Sequence, residues 1–403
     1  MPGAGDRRYK PFARCMHPTL ESVIATAAIR RISAIHDRSQ TMRPATSRYL
    51  LCLGVLLCVL PLQLAAATLE AANEATRRFI VATMEDRGIP GLQVAVVKDG
   101  NVVFSTAVGL ANVENKVAAT HATLFPINSA TKAFTGVAVM QLAEAGQLDL
   151  DAPISAYLQQ LPAAWQAIRV RQLLAHTSGL PDIVDAQGLV GGGAEATAWQ
   201  LVEQQPMQAL PGARFAYNQT NYGLLARIIA QRSGRTYEDY LADNQFKRVG
   251  MTHVGFGDSY DLLPNAATMY SFFPRSSDAA GAPKRLSHWF YDMPQGLWAG
   301  GGIQTTADDL ARWLAALLQQ RVLRADSLER MWTPEHLNDG SEGDWAAGWP
   351  VSGPAGKRQI SSFGGARAAF VIYPDEGLAV VVLTNLVGAN PQQFTDQIAD
   401  FYR

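Results

Sequence analysis

Phe125-Pro126-Ile127-Asn128-Ser129-Ala130-Thr131-Lys132 is the stretch that decides how this chain folds. Beyond it, Phe134, Val137, Met140 and Leu142 recur at helical spacing up to Gly146, which predicts a helix opening at Ser129. Positions three apart on a helix share a face, so the Ser129 hydroxyl and the Lys132 ammonium become neighbours. The positive end of a helix dipole also suits negative charge developing on the serine. A lysine removes a proton only where burial or nearby cations weaken its own hold on one. A serine at this place serves equally well as an ordinary N-cap, and Ser-x-x-Lys pairs are common. The pair alone leaves both readings open.

Working outward, Leu69–Arg87 carries Ala71, Ala75, Phe79, Ile80 and Met84 and reads as an amphipathic helix stopped by Gly88 and Pro90. Leu92–Lys98 and Asn101–Val108 read as strands joined at Asp99-Gly100, a strong hairpin signal. A second hairpin pairs Ala368–Tyr373 with Leu378–Thr384 across Pro374-Asp375-Glu376-Gly377, and Pro391–Tyr402 reads as a closing helix. Strands thus cluster at both ends of the chain, with helices and loops between. The simplest assembly is an α/β (α+β) fold: one antiparallel sheet built from both chain ends and flanked by helices, with a mostly helical region inserted. Clefts form where two such regions meet. Thr306 with Asp309 resembles a capping box ahead of Leu310, Trp313 and Leu314. Gly191-Gly192-Gly193 and Gly300-Gly301-Gly302 lack the ending of a phosphate loop and read as flexible turns.

The chain has 403 residues, of which 48% are hydrophobic and 17% charged, enough for a large core. Arg43 and Arg48, the apolar run Tyr49–Leu60, Pro61 and Ala65-Ala66-Ala67 have the layout of a secretory signal peptide over residues 42–67. The run is shorter than the ~20 apolar residues of a membrane span. Leu57 before Cys58 also argues against a lipid-attachment box. Residues 1–41 sit awkwardly in front of such a signal, and Met42 is a candidate start. All three cysteines (Cys15, Cys52, Cys58) fall within the first 67 residues. A mature chain would therefore have no disulfide and no thiol chemistry. Removing that leader leaves 25 basic against 32 acidic residues, a net charge of −7, which argues against a nucleic-acid partner.

No Gly-x-Ser-x-Gly elbow is present, which weighs against an α/β-hydrolase. The histidines beyond the leader (His121, His176, His253, His288, His336) form no His-x-x-x-His pair, so a helical zinc site is not expected. What remains is Ser129-x-x-Lys132, and it has company. Leu173-Leu174-Ala175-His176-Thr177-Ser178-Gly179-Leu180-Pro181 follows it. Pro211-Gly212 and Phe215-Ala216-Tyr217-Asn218-Gln219-Thr220-Asn221-Tyr222-Gly223 come next. Then come Ala299-Gly300-Gly301-Gly302 with Thr305-Thr306-Ala307-Asp308-Asp309-Leu310, Ser362-Phe363-Gly364-Gly365, Tyr373-Pro374-Asp375 and Leu383-Thr384-Asn385. In this order, from about residue 70 to the C-terminus, they resemble the motifs of class C β-lactamases and related penicillin-binding proteins and esterases.

The resemblance implies a β-lactamase/transpeptidase-like fold over residues 68–403, with α/β parts at 68–150 and 290–403 and a helical region at 151–289. It implies a serine hydrolase working through an acyl-enzyme without metal or cofactor, with Ser129 as nucleophile, Lys132 as part of the base and Tyr217 as proton shuttle. The backbone N–H groups of Ser129 and Gly365 would form the oxyanion hole, with Gln219, Ser362 and Gly364 contacting substrate. His176 reads as structural. Two positions depart from the pattern: Gln219 stands where the family has Asn, and Ser362 stands where it has Lys or His. A serine supplies no charge for a substrate carboxylate. Arg367 or Arg358 could restore it, although solvated surface arginines are the simpler reading of both. Expected substrates are therefore small esters, amides or D-amino-acid peptides, with β-lactams less favoured. The expected location is periplasmic or secreted, with no membrane span after signal cleavage. The rival reading is a penicillin-binding or cell-wall-peptide sensor that is non-catalytic or acylates only once.

Overall fold

The computed structural model describes residues 46–403 apart from Ser276, with side chains from residue 67 onward. Residues 1–41 and the start of the expected signal peptide lie outside the described residues. The chain divides into residues 1–65 and a body, Ala66–Arg403, that holds the sheet and the site. Among the described residues no helix is long and apolar enough to cross a membrane.

The first helix, α1 (Thr46–Arg87), begins earlier than the expected Leu69. Its face toward the body is also rotated from the expected one: Ala72, Thr76, Ile80 and Thr83 are buried while Ala71 is exposed. Next come β1 (Gly91–Lys98), β2 (Asn101–Asn112) and β3 (Val117–Ala118), then, from the far end of the chain, β4 (Val351–Ser352), β5 (Gln359–Gly364), β6 (Ala368–Tyr373) and β7 (Leu378–Thr384). They form one antiparallel sheet in the order β4-β5-β6-β7-β1-β2-β3. Asp99 and Gly100 both take positive φ (50° and 74°), as a two-residue hairpin requires. β2 continues past the expected Val108 to pair with β3. The chain ends meet at the centre, where Leu92 pairs with Thr384 and Lys98 with Leu378.

β1 and β7 are buried on both faces, which is why they read as continuous apolar runs. Val94, Val96, Val380 and Val382 pack toward Ile80, Phe394 and Ile398, the last on α5 (Thr395–Asp400). Ala95, Val97, Ala379 and Val381 turn the other way, into the larger core with α2 (Thr131–Glu144) and α4 (Ala307–Leu318). Each such Val contributes about 1.5–3 kcal/mol by burial. Thr306 caps α4 by accepting from Asp309 N at 3.1 Å. The other half of the expected box is absent, because the Asp309 carboxylate instead accepts from Thr252 N (2.8 Å) and His253 N (2.6 Å).

α2 is buried almost all round and runs through the core. Phe134 stacks on Trp313 at 3.8 Å, and Trp313 lies parallel to Trp349 at 5.9 Å. Gly136 is where the 347–348 backbone crosses the helix; a Cβ there would lie 2.2 Å from the Ala347 carbonyl oxygen. The region between the two sheet halves carries α3 (Gln219–Ser233) with shorter helical turns. A small sheet ties the parts together: Ile303–Thr305 pairs with Phe125–Pro126 on one side and Val254–Phe256 on the other.

Candidate active site

Ser129 lies in a single 3₁₀ turn, Asn128–Ala130, immediately before α2, so the helix opens two residues later than the spacing suggested. Asn128 takes a left-handed φ of 46°, which turns the chain sharply out of the strand at Phe125–Pro126. The bond from Ile127 N to Ile303 O (3.0 Å) fixes the entry to that turn. Ser129 is thereby presented half-exposed at the end of an otherwise buried element.

Tyr217 reaches it from the other side, its Oη donating to Ser129 Oγ at 2.9 Å. The phenol is 40% exposed, so its position depends on what lies beneath. The His176 ring, fully buried, sits against it at 4.4 Å. His176 Nδ1 accepts from Asn218 N (3.2 Å) and contacts Asn221 Nδ2 (3.1 Å), so the ring proton is on Nε2. Burial, and then the charge of Lys132, push the His176 pKa well below the usual 6.5 and keep the ring neutral. Asn218 caps α3 by accepting from Asn221 N (3.1 Å) and donates to Leu180 O (2.7 Å); Ser178 Oγ donates to Asn221 Oδ1 (2.6 Å). The loop at 173–181 is therefore the platform on which the phenol rests. His176 sits beneath Tyr217 as part of that platform, a contact that nothing in the spacing showed.

Lys132 is fully buried, with Nζ donating to Gly300 O at 2.7 Å and to Gln219 Oε1 at 3.0 Å. Among the described residues it makes no hydrogen bond to Ser129 Oγ; it lies 4.7 Å from the centroid of the Tyr217 ring and 5.0 Å from that of Tyr222. Gly300-Gly301-Gly302 is accordingly not a flexible turn. Gly300 and Gly301 belong to a buried helical turn, Trp298–Gly301, that supplies a ligand to the ammonium. A Cβ on Gly300 would meet Gln219 Oε1 at 2.7 Å, so the close approach needs glycine. Gln219, the residue that departs from the family pattern, spends its amide oxygen on Lys132 while its N–H donates to Asp182 Oδ1 at 2.9 Å. Burial pushes the Asp182 carboxyl up, against the N–H groups of Gln219 and Val184 that favour its charged form.

The end of β5 lies along the nucleophile's turn. A Cβ on Gly364 would come within 2.1 Å of Ile127 O and 2.6 Å of Ser129 N. Gly365 follows with φ of 57°. Ser362 does not line the cleft as expected of a substrate contact: it is 3% exposed and its hydroxyl donates to Ala130 O at 3.3 Å. The two arginines differ: Arg358 is a partly exposed surface cation, whereas Arg367 is buried. Arg358 is clamped by both oxygens of Glu329 (2.8 and 2.9 Å). Arg367 is 2% exposed, with its guanidinium 4.7 Å from the centre of the Tyr291 ring. Among the described residues no cluster of His, Cys, Asp and Glu is arranged to hold a metal.

A serine and a buried lysine from one stretch, met by a phenol from another, is the arrangement the motifs implied. The family model for beta-lactamase matches residues 76–402. The chain belongs to the beta-lactamase family. Within that family it is 31% identical to a putative penicillin-binding protein, PbpX, of Bacillus subtilis over 257 residues, 64% of this chain and 61% of the relative. It thus spans about three-fifths of the length of the curated relatives it matches. Among solved structures it resembles the octameric penicillin-binding protein homologue of Pyrococcus abyssi (TM-score 0.68, 27% identity, 81% of this chain and 76% of that one). The penicillin-binding protein of Bacillus halodurans is similar at a TM-score of 0.64 and 25% identity, over 79% of this chain and 99% of that one. The beta-lactamase family membership and fold read from the motifs are thus borne out.

Proposed function

We propose that this chain is an exported serine hydrolase that forms and hydrolyses an acyl-enzyme on Ser129. The observation that carries this is the 2.9 Å hydrogen bond between Tyr217 Oη and Ser129 Oγ, beside a buried ammonium. As Ser129 Oγ bonds to the acyl carbon, its proton passes to the Tyr217 oxygen, while the phenol's own proton moves on to the departing alkoxide or amine as the acyl bond breaks. Tyr217 thus ends the step as the neutral phenol it began. Water, deprotonated by the same group, attacks the ester and returns Ser129. Lys132 offsets negative charge developing beside the Tyr217 ring. The Ser129 and Gly365 N–H groups receive the oxyanion, where one donor is typically worth ~10²–10³ in rate.

Small esters, amides and D-amino-acid peptides fit this reading better than β-lactams. The cleft has no lysine or histidine at position 362 to hold a substrate carboxylate. The signal-peptide layout of residues 42–67 supports export to the periplasm or beyond. The test is turnover of a chromogenic short-chain ester by the mature protein and by Ser129→Ala. Loss of turnover in the variant is expected. A variant as active as the parent would refute the assignment, and a single stoichiometric burst in the parent would favour a sensor.

A further inference from the structure

Arg367 is the least explained charge in the molecule. It is 2% exposed, yet among the described residues it forms no ion pair, and its Nε is buried without a hydrogen-bond partner. Burial lowers its pKa to about 10, still well above neutral pH, so the side chain stays charged. A buried guanidinium that rests on the Tyr291 ring with no carboxylate to offset it is costly, and a core residue that only fills space has no need of one.

Its surroundings indicate what it serves. Arg367 stands two residues after Gly365, with its N–H bonded to Gly364 O at 3.1 Å. A Cβ placed on Gly365 would lie 3.1 Å from both Cζ and Nε of the guanidinium and 2.7 Å from Asn128 Oδ1. The charge is thus packed against the residue whose N–H is expected to donate to the oxyanion. Asn128 immediately precedes the nucleophile, and the Tyr291 hydroxyl interacts with both its side chain and the guanidinium. At position 362, on the neighbouring strand, a neutral serine stands where the family's third motif has a cation.

We propose that Arg367 is a positioning residue that supplies, through the Gly365 peptide, the positive field that the third motif has lost. It stabilises the oxyanion through the backbone and cannot grip a substrate carboxylate, because it is 2% exposed. This rests on the acyl-enzyme reading above.

The experiment compares the mature protein with Arg367→Met and Arg367→Lys. One neutral and one carboxylate-bearing p-nitrophenyl ester of equal chain length are used, with thermal midpoints measured alongside. Labelling by a neutral fluorophosphonate gives the rate at Ser129. Arg367→Met is expected to lower kcat and the labelling rate roughly tenfold or more, with KM little changed. That is less than the ~10²–10³ of a direct oxyanion donor, since the field acts through an intervening peptide. Its thermal midpoint should hold or rise, because an uncompensated buried charge has gone. Arg367→Lys should keep most of the rate. Preference for the neutral ester should persist in all three. The proposal is overturned if Arg367→Met has parental kcat, if it loses only KM for the carboxylate ester, or if rate and midpoint fall together in both variants. A parent that labels at no serine instead removes the acyl-enzyme reading itself.

Discussion

Tyr217 is nearly half exposed, and its geometry is inherited from buried neighbours, His176 above all. Replacing Tyr217 by Phe leaves that platform intact and removes only the hydroxyl. We expect kcat to fall ~10²–10⁴-fold while stability stays within about 0.5 kcal/mol, measured by ester turnover and thermal melting. Gln219→Asn restores the shorter amide of the family and withdraws Oε1 from Lys132. The ammonium then loses one of its two hydrogen-bond acceptors, at a cost of about 1–3 kcal/mol in the melt, with a fall in turnover. His176 sets a pH limit. Its folded-state pKa lies well below the unfolded 6.5, so between those values the unfolded chain binds the extra proton. The stability it contributes is complete above about pH 6.5 and is lost as the pH falls below it. Denaturant midpoints from pH 7.5 to 5 should show the decline, and His176→Asn should flatten it.

At the scale of elements, α2 carries Lys132, directly follows the nucleophile's turn and is fixed by contacts that leave no spare room. Gly136→Ala puts a methyl group 2.2 Å from Ala347 O. Overpacking of this kind costs about 1–3 kcal/mol, read as a lower denaturant midpoint. Both hairpins and the α2 run were legible in the sequence because turn residues and periodicity are local signals: Asp99-Gly100 and Pro374–Gly377 needed no tertiary context. Gly300–Gly302 was not legible, since a run of glycines looks alike in an exposed loop and in a buried turn that must let a carbonyl approach Lys132. The start of α1 was missed because an apolar leader run and a helix share the same pattern. Among the site residues, Ser129, Lys132 and Tyr217 could be found from their motifs. Ser362 and Arg367 were misplaced, because their burial is decided by distant neighbours: the Ala130 carbonyl, 232 residues away, for the serine and the Tyr291 ring for the arginine.

For the whole molecule, the core contacts of α1 begin at Leu69 and Ala72. A chain begun at Thr68 is expected to retain the thermal midpoint and ester turnover of the full 403-residue chain. Loss of either would place part of the working structure before residue 68. The join at the middle of the sheet, by contrast, is indispensable: Gly91 N donates to Asn385 Oδ1 across 294 residues, beside the β1–β7 ladder. A ribosome must therefore reach Thr384 before the central ladder has both its rails, and β1 waits without that partner until then. On the export route proposed above, the chain would cross a narrow channel with this ladder still unmade and compaction deferred to the far side.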